Sequence, residues 1–131
     1  MIKIIQTQGK RKQAIARATL RPGKGIVKVN GHLLQHYSSN MLRLRVAEPL
    51  LLVGDVAKGL NFDVTVIGGG SNGQADASRL AIARALVQYQ PGLKQTFEEY
   101  DRLLLVADVR RKETRKPNDS KARAKRQKSY R

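Results

Sequence analysis

The first thirty residues alternate between apolar and polar side chains, which is the pattern of half-buried β-strands. The runs IKIIQTQ (2–8), QAIARATL (13–20) and GIVKVNG (25–31) follow this pattern. A basic turn, GKRK (9–12), separates the first two runs, and Asn30-Gly31, a strong hairpin signal, ends the third. The pattern therefore predicts an antiparallel meander with basic residues at its loops.

The next stretch, SSNMLRLRVAEPLLLVGD (38–55), has the composition of helices. Ser38 or Ser39 can cap its start, and Gly54 can end it. Pro49 suits the first turn of a helix and disrupts a helix interior. The stretch is therefore predicted to form two helical pieces that meet near Pro49.

A strand, a glycine loop and a long helix come next. Phe62, Val64 and Val66 share one face of the predicted strand NFDVTVI (61–67). The run QADASRLAIARALVQY has a wide apolar arc rich in alanine and ends before Pro91-Gly92. LLLVADV (103–109) is typical of a buried strand. Together these patterns predict one α/β domain over residues 1–109.

The glycine loop, GGGSNG (68–73), matches the G-x-G-x-x-G pattern of a dinucleotide-binding turn. The acid expected about 20 residues later is missing, and no Lys-Ser/Thr pair makes it a Walker A loop. Two other interpretations stay open. The loop can be a tight strand-to-helix connection, or its backbone N–H groups can bind the phosphates of an RNA backbone.

Charge is concentrated at the two ends of this 131-residue chain, whose net charge is +16. Residues 1–30 hold eight Lys or Arg and no acid, and residues 110–131 hold eleven Lys or Arg and two acids. The middle is close to neutral. Concentrated positive ends indicate a polyanionic partner rather than a general solubilising surface.

Few residues suggest catalysis or metal binding. The chain has no cysteine, which excludes disulfides and thiolate zinc sites and fits a reducing compartment. His32 and His36 are at most half of a zinc site, and Glu98, Glu99 and Asp101 lie in a polar connector. No apolar run is long enough for a membrane span, and the N-terminus lacks a signal peptide core. We therefore expect a cytoplasmic protein, and these residues do not complete a metal site.

Two arginines of the long helix are candidates for phosphate contact. Arg79 projects within the apolar arc, where a charge needs a partner. That partner is either an acid such as Asp76 or a phosphate beside the glycine loop. Arg84 lies at the edge of the arc.

The C-terminal stretch, residues 110–131, has no apolar face and is predicted to be an extended basic arm. Fully extended, it reaches roughly 70 Å. It ends in Ser129-Tyr130-Arg131, where tyrosine can stack on a base or ribose and arginine can hold phosphate.

Three long motifs closely resemble the family of ribosomal protein nine of the small subunit, in its archaeal and eukaryotic branch. These motifs are GKRKQAIARATLRPGKGIVKVNG, GGGSNGQADASRLAIARAL and DSKARAKRQKSYR. The resemblance implies an α/β (α+β) domain like domain two of ribosomal protein five. That domain has a mixed, mainly four-stranded sheet, helices on one face and a left-handed β-α-β crossover. Some small-molecule kinases share this fold, but the chain lacks their second domain.

The resemblance implies a structural RNA-binding protein that is not an enzyme and uses no metal, cofactor or small-molecule substrate. It also implies where the protein binds and which partners it has. These are the head of the small subunit, its rRNA, neighbouring head proteins and the tRNA in the peptidyl site. The arm is expected to run to the anticodon stem-loop of that tRNA, where Arg131, Tyr130 and Lys128 are the candidate contacts. Many members carry a glycine just before the Lys-Ala-Arg of the arm, whereas this chain has Pro-Asn-Asp-Ser (117–120).

The candidate rRNA-binding residues are the basic residues of both ends, the glycine loop and the two arginines of the long helix. They are Lys10, Arg11, Lys12, Arg17, Lys24, Gly69, Gly70, Arg79, Arg84, Arg110, Arg111, Lys112, Lys121, Arg123, Lys125 and Arg126. Two other classes of protein compete with this assignment. A nucleotide-using enzyme would depend on the glycine loop, and a nonspecific DNA-binding protein would bind duplex DNA as well as structured RNA.

Overall fold

The computed structural model describes residues 3–125, 127 and 129. In this part of the chain, strands occupy Ile5–Arg11 (β1), Ala14–Pro22 (β2), Val27–Val29 (β3), His32–Leu33 (β4) and Leu60–Ile67 (β5). The α-helices are Asn40–Val53 (α1), Asp55–Lys58 (α2), Ser71–Tyr89 (α3) and Leu93–Tyr100 (α4). Leu34–His36 and Arg102–Leu104 form 3₁₀ turns.

The strands form one mixed sheet in the order β1-β2-β5-β3-β4. β1, β2 and β5 are antiparallel neighbours, β3 lies parallel to β5, and the two-residue β4 pairs with β3. The sheet confirms the predicted α/β class, although the short β4 makes five strands. The connection between the parallel strands β3 and β5 passes through α1 and α2, and its left-handedness stays a prediction.

Both hairpins use left-handed residues at their turns. Asn30 and Gly31 have φ angles of 53° and 82°, which confirms the predicted turn between β3 and β4. The basic turn lies later than predicted, because β1 extends to Arg11 and Lys12 adopts a φ of 54°. The end of β1 differs from the prediction because Gly9 is paired with Ala16 within the β1–β2 ladder.

The core lies between the sheet and α3. Alternate residues of β2 and β5 point inward, and these residues are buried from Ala14 to Leu20 of β2 and along β5. The buried face of α3 is mostly alanine, so the helix backbone can approach the strands closely. Thr7 of β1 donates a hydrogen bond from Oγ1 to the carbonyl of Ala81 at 2.7 Å, which joins the edge strand directly to α3.

The predicted break at Pro49 is wrong. α1 continues through Pro49 and ends at Gly54, whose φ is 61° and whose N–H donates to the Leu50 carbonyl. Pro49 is buried together with Leu42 and Val46, on a helix that packs against α3. Packing of this face outweighs the hydrogen bond that proline cannot donate, since tertiary contacts supply most helix stability.

The predicted strand at residues 103–109 is also wrong. The chain forms a 3₁₀ turn at Arg102–Leu104, capped by Asp101, whose Oδ1 accepts a hydrogen bond from the N–H of Leu103 at 3.0 Å. Leu104 is fully buried, whereas Val109 is 87% exposed. A short apolar run does not distinguish a strand from other structure by its pattern alone, and this run has no neighbouring strand to pair with.

Residues 107–125 contain no helix or strand. They include a turn at Pro117–Asn118, where Asn118 adopts a φ of 67°. The division into a domain at 1–109 and an arm at 110–131 stays a prediction. No helix in the described residues is long and apolar enough to cross a membrane.

Replacing Gly9 with alanine is expected to destabilise the fold by about 2–3 kcal/mol, the typical cost of overpacking a core. A Cβ at Gly9 would lie 2.2 Å from the Ala77 carbonyl oxygen and 2.8 Å from the Ala81 nitrogen. Both atoms belong to the α3 backbone, so the helix would have to move away from the sheet. Urea unfolding of the purified chain measures the effect.

Gly59→Ala is the matched control. Gly59 has a φ of −98°, and an added Cβ would meet no described atom within 4 Å. The free energy of unfolding of this variant should therefore change little or rise slightly. Equal midpoints for Gly9→Ala and the unsubstituted chain would contradict the close approach of α3.

Candidate nucleic-acid interface

An open groove of about 1030 Å³ lies where three segments of the chain meet. These segments are the turn between β1 and β2, the glycine loop at the start of α3, and the beginning of the basic arm. None of the described residues that line the groove is acidic. Its lining residues are Arg11, Lys12, Gln13, Gly69, Gly70, Ser71, Asn72, Gly73, Arg110, Arg111 and Lys112.

The glycine loop is a tight connection that packs on the β1–β2 turn. Gly68 and Gly69 have φ angles of 76° and 65°, a region that favours glycine. A Cβ at Gly68 would lie 2.5 Å from the carbonyl oxygen of Gln13, and one at Gly69 would lie 3.0 Å from Ala14. The first of the two interpretations, a structural connection, therefore accounts for Gly68 and Gly69.

The same loop leaves the amino end of α3 open. Gly70 precedes the helix, no side chain caps the first turn, and a Cβ at Gly70 would meet nothing within 4 Å. The first N–H groups of a helix have no partner inside it and carry partial positive charge. The amino end of α3 can therefore accept an anion from the groove, and the second interpretation remains compatible with the geometry.

Aspartates hold two of the groove arginines in place. Asp108 accepts from Nη2 of Arg110 at 2.6 Å and lies 3.3 Å from Nη1 of Arg11. Arg11 also lies 3.7 Å from Asp76, which pairs with Arg45 at 3.2 Å. The hydrogen bond from Arg110 and the nearby Arg11 guanidinium hold the pKa of Asp108 well below its usual range. The carboxylate therefore stays ionised at any physiological pH and keeps both guanidinium groups at the groove.

The remaining groove cations have no acidic partner. Lys12, Arg111 and Lys112 make no ion pair with any described residue. Cations without an acidic partner and open helix N–H groups favour a bound anion such as phosphate.

Arg79 and Arg84 are occupied within the protein. Nη2 of Arg79 lies 2.6 Å from Glu48 and 3.1 Å from Asp101, and only 12% of its side chain is exposed. Arg84 donates to the carbonyls of Leu105 at 3.1 Å and Gln8 at 2.8 Å. Burial raises the pKa of Asp101, but hydrogen bonds from the Leu103 N–H and from Arg79 outweigh this and leave that pKa lowered. Arg79 thus takes the internal alternative, although its partners are Glu48 and Asp101 rather than Asp76.

The structure distributes the other candidate residues outside the groove. Arg17 lies on the outer face of β2, Lys10 on β1, and Lys24 in the loop before β3. In the arm, Lys121 is exposed, Arg123 pairs with Glu113 at 2.6 Å, and Lys125 lies 3.7 Å from Asp119. Arg126 and the three candidate tRNA contacts, Lys128, Tyr130 and Arg131, lie outside the described residues.

Sequence reasoning missed the aspartate that organises the groove. Asp108 had been placed in a strand, and its role follows only from its contacts with Arg11 and Arg110. A signal was present, because Asp108 is an isolated acid two residues before a basic run. The uncharged lining residues Ser71 and Asn72 gave no comparable signal.

Comparison with known proteins identifies the family. The family model described as ribosomal protein S9/S16 matches residues 9–131. A protein of Thermoplasma acidophilum named small ribosomal subunit protein uS9 is 53% identical over 127 residues, which cover 95% of this chain and 98% of that protein. Proteins of the same name from Thermoplasma volcanium and Pyrobaculum aerophilum are 50% and 45% identical, over 95% and 98% of this chain and 96% and 92% of their own lengths.

The match covers all three segments that build the groove, from the β1–β2 turn to the basic arm. Members of this family are structural proteins of the ribosome rather than enzymes, so the glycine loop has no catalytic role. The resemblance noted in the sequence is confirmed over nearly the whole chain. This chain belongs to the S9 family of ribosomal proteins.

Proposed function

We propose that this chain is a structural constituent of the head of the small ribosomal subunit in the cytoplasm. It binds small-subunit rRNA, contacts neighbouring head proteins, and places its C-terminal tip near the anticodon stem-loop of the peptidyl-site tRNA. The observation that carries the proposal is a basic groove with no acid among its described lining residues, within a chain that matches the family from residue 9 to residue 131. The names of the relatives support the assignment to the small subunit.

The groove binds the rRNA backbone through phosphate oxygens. Lys12, Arg111 and Lys112 neutralise phosphate charge, and the N–H groups at the start of α3 donate hydrogen bonds. Gly70 keeps the approach free of a side chain. Contacts of this kind fix the position of the protein without reading base sequence.

The basic arm, residues 110–131, extends from the groove and follows rRNA towards the tRNA. Its apolar content is too low to form a core of its own, so contacts with RNA offset its ordering entropy during assembly. At the tip, Arg131 contacts a tRNA phosphate with Tyr130 and Lys128 beside it. These contacts would hold any tRNA in the peptidyl site, because they involve the backbone rather than the anticodon bases.

A sucrose gradient of a cell extract tests the assignment to the subunit. We expect the chain to sediment with the small subunit and to remain there after a high-salt wash, because an integral component is held by many contacts. Detection with an antibody against the chain provides the measurement. A chain found at the top of the gradient would reject the proposed function.

Removing the unpaired groove cations is expected to weaken binding to rRNA and to reduce its salt dependence. For the full-length variant Lys12→Gln/Arg111→Gln/Lys112→Gln, the slope of log K against log salt should become shallower by about two to three, close to one per lost phosphate contact. Binding to purified small-subunit rRNA across a potassium chloride series measures the slope.

The control is Lys58→Gln/Lys94→Gln/Arg102→Gln, which removes the same charge from exposed positions on or beside helices. Its slope should stay much closer to that of the unsubstituted chain. If the two triple variants behave alike, net charge rather than the groove determines binding.

Deleting residues 129–131 is expected to weaken tRNA binding at the peptidyl site about tenfold while small subunits still assemble. One lost arginine–phosphate hydrogen bond corresponds to about 1.5 kcal/mol. Filter binding of tRNA to purified subunits programmed with mRNA measures the affinity, and sedimentation checks assembly. Ser129→Ala keeps the terminal arginine and should bind tRNA normally. Unchanged affinity in the truncated subunits would exclude the tip as a tRNA contact.

A further inference from the structure

The outer face of the sheet is not covered by any described helix or loop. Gln8, Arg17 and Thr65 are directly opposite one another on β1, β2 and β5, and all three side chains are exposed. A shallow depression of about 500 Å³ lies along this row. The core occupies the opposite face, so these outward side chains are available to a partner.

Uncharged hydrogen-bonding groups flank Arg17 at the centre of this outer face. Thr65 and Gln8 flank Arg17 in one row, and Gln6 and Thr19 lie opposite each other in the next. Hydroxyl and amide groups can both donate and accept hydrogen bonds. They can therefore pair with ribose 2′-hydroxyl groups, which also donate and accept.

Besides Arg17, three cations lie around this polar centre. Lys10, Arg17, Arg21 and Lys28 are outward on their strands, and Asp63 is the acid among the outward strand positions of the described sheet. None of the four makes an ion pair or a side-chain hydrogen bond with a described residue. From the spacing of strands and residues, Arg17 and Lys28 are roughly 12 Å apart. They can therefore reach phosphates on two different strands of RNA.

Among the described residues, the outer face has no aromatic side chain at an outward strand position. Proteins that bind single-stranded RNA on a sheet stack bases on aromatic residues. Here Phe62 points into the core and is 2% exposed. A broad polar face with flanking cations instead fits the wide, shallow minor groove of an A-form helix, which displays 2′-hydroxyl groups between two phosphate backbones.

We propose that the outer sheet face docks on the minor groove of a double-stranded rRNA segment. This inference rests on the proposed function and adds a second RNA-binding surface to it. Arg17, Arg21 and Lys28 contact phosphates, and Gln8, Thr19 and Thr65 contact 2′-hydroxyl groups. The protein thereby holds RNA on both sides of the sheet plane, at the groove beside α3 and at the outer face.

Directed hydroxyl-radical cleavage tests the surface in assembled subunits. The chain has no cysteine, so Thr65→Cys in the full-length protein provides one attachment point for an iron–EDTA probe. Thr65 is exposed and points away from the core, so the fold should tolerate the change. We expect cleavage on two rRNA strands that are base-paired with each other. Thr96→Cys, exposed on α4, is the control and should give a different pattern or none.

Three results would overturn the inference. They are no rRNA cleavage from position 65, cleavage confined to unpaired nucleotides, and protection of the probe by a neighbouring protein. A chain that fails to enter small subunits even without substitution contradicts the proposed function itself. Subunits that contain the probe-carrying chain but show no cleavage contradict the outer-face inference alone.

Affinity measurements give a second readout. With an RNA duplex of about 20 base pairs as the probe, Arg17→Gln/Lys28→Gln should bind about tenfold more weakly, with a salt slope shallower by about two. Arg102→Gln/Lys94→Gln removes the same charge elsewhere and should bind much as the unsubstituted chain does. Equal losses for the two variants, or an equal loss on single-stranded RNA of the same sequence, would reject duplex recognition by this face.

Discussion

The close approach of α3 to the first two strands is the constraint on which the rest of the structure depends. Gly9 brings the backbone of β1 against the backbone of α3 at Ala77 and Ala81, where no side chain can fit. Thr7 adds a hydrogen bond to the same stretch of helix. The inward face of β2 carries Ala14, Ala16 and Ala18, all essentially inaccessible to water. Small residues on both the strands and the helix allow close packing with little room for movement. The start of α3 is therefore fixed relative to the β1–β2 turn.

That fixed position creates the groove. Because Gly68 and Gly69 fold against Gln13 and Ala14, the amino end of α3 lies beside the basic turn that contains Lys12. The chain then returns to the same place after α4, where Asp108 holds both Arg11 and Arg110. Acids are used here to position arginines. Basic residues from the two ends of the sequence thus meet at one groove, which suits a polyanion better than scattered charges would.

The cations fall into two groups, those paired within the protein and those without a partner among the described residues. Arg79 and Arg84 stabilise the domain internally, since each bridges α3 to another segment of the chain. Lys12, Arg111 and Lys112 at the groove and Arg17, Arg21 and Lys28 on the sheet lack such partners among the described residues. Binding of phosphate to a cation without an internal partner costs less free energy than binding to one that must first break an ion pair.

The sequence by itself determined the class of fold, the strand patterns of β2 and β5, the Asn30-Gly31 turn and the concentration of charge at both ends, because these follow from local periodicity and composition. Its long motifs also indicated the protein family. Only the tertiary structure decided that α1 continues through Pro49, because burial of this face outweighs the effect of proline on the helix. It also decided that the apolar run 103–109 is not a strand, because no described strand lies beside it. It also decided which arginines have internal partners. Those outcomes depend on contacts between residues far apart in the chain, as with Arg79 and Glu48 or Arg11 and Asp108, and no local pattern encodes such distances.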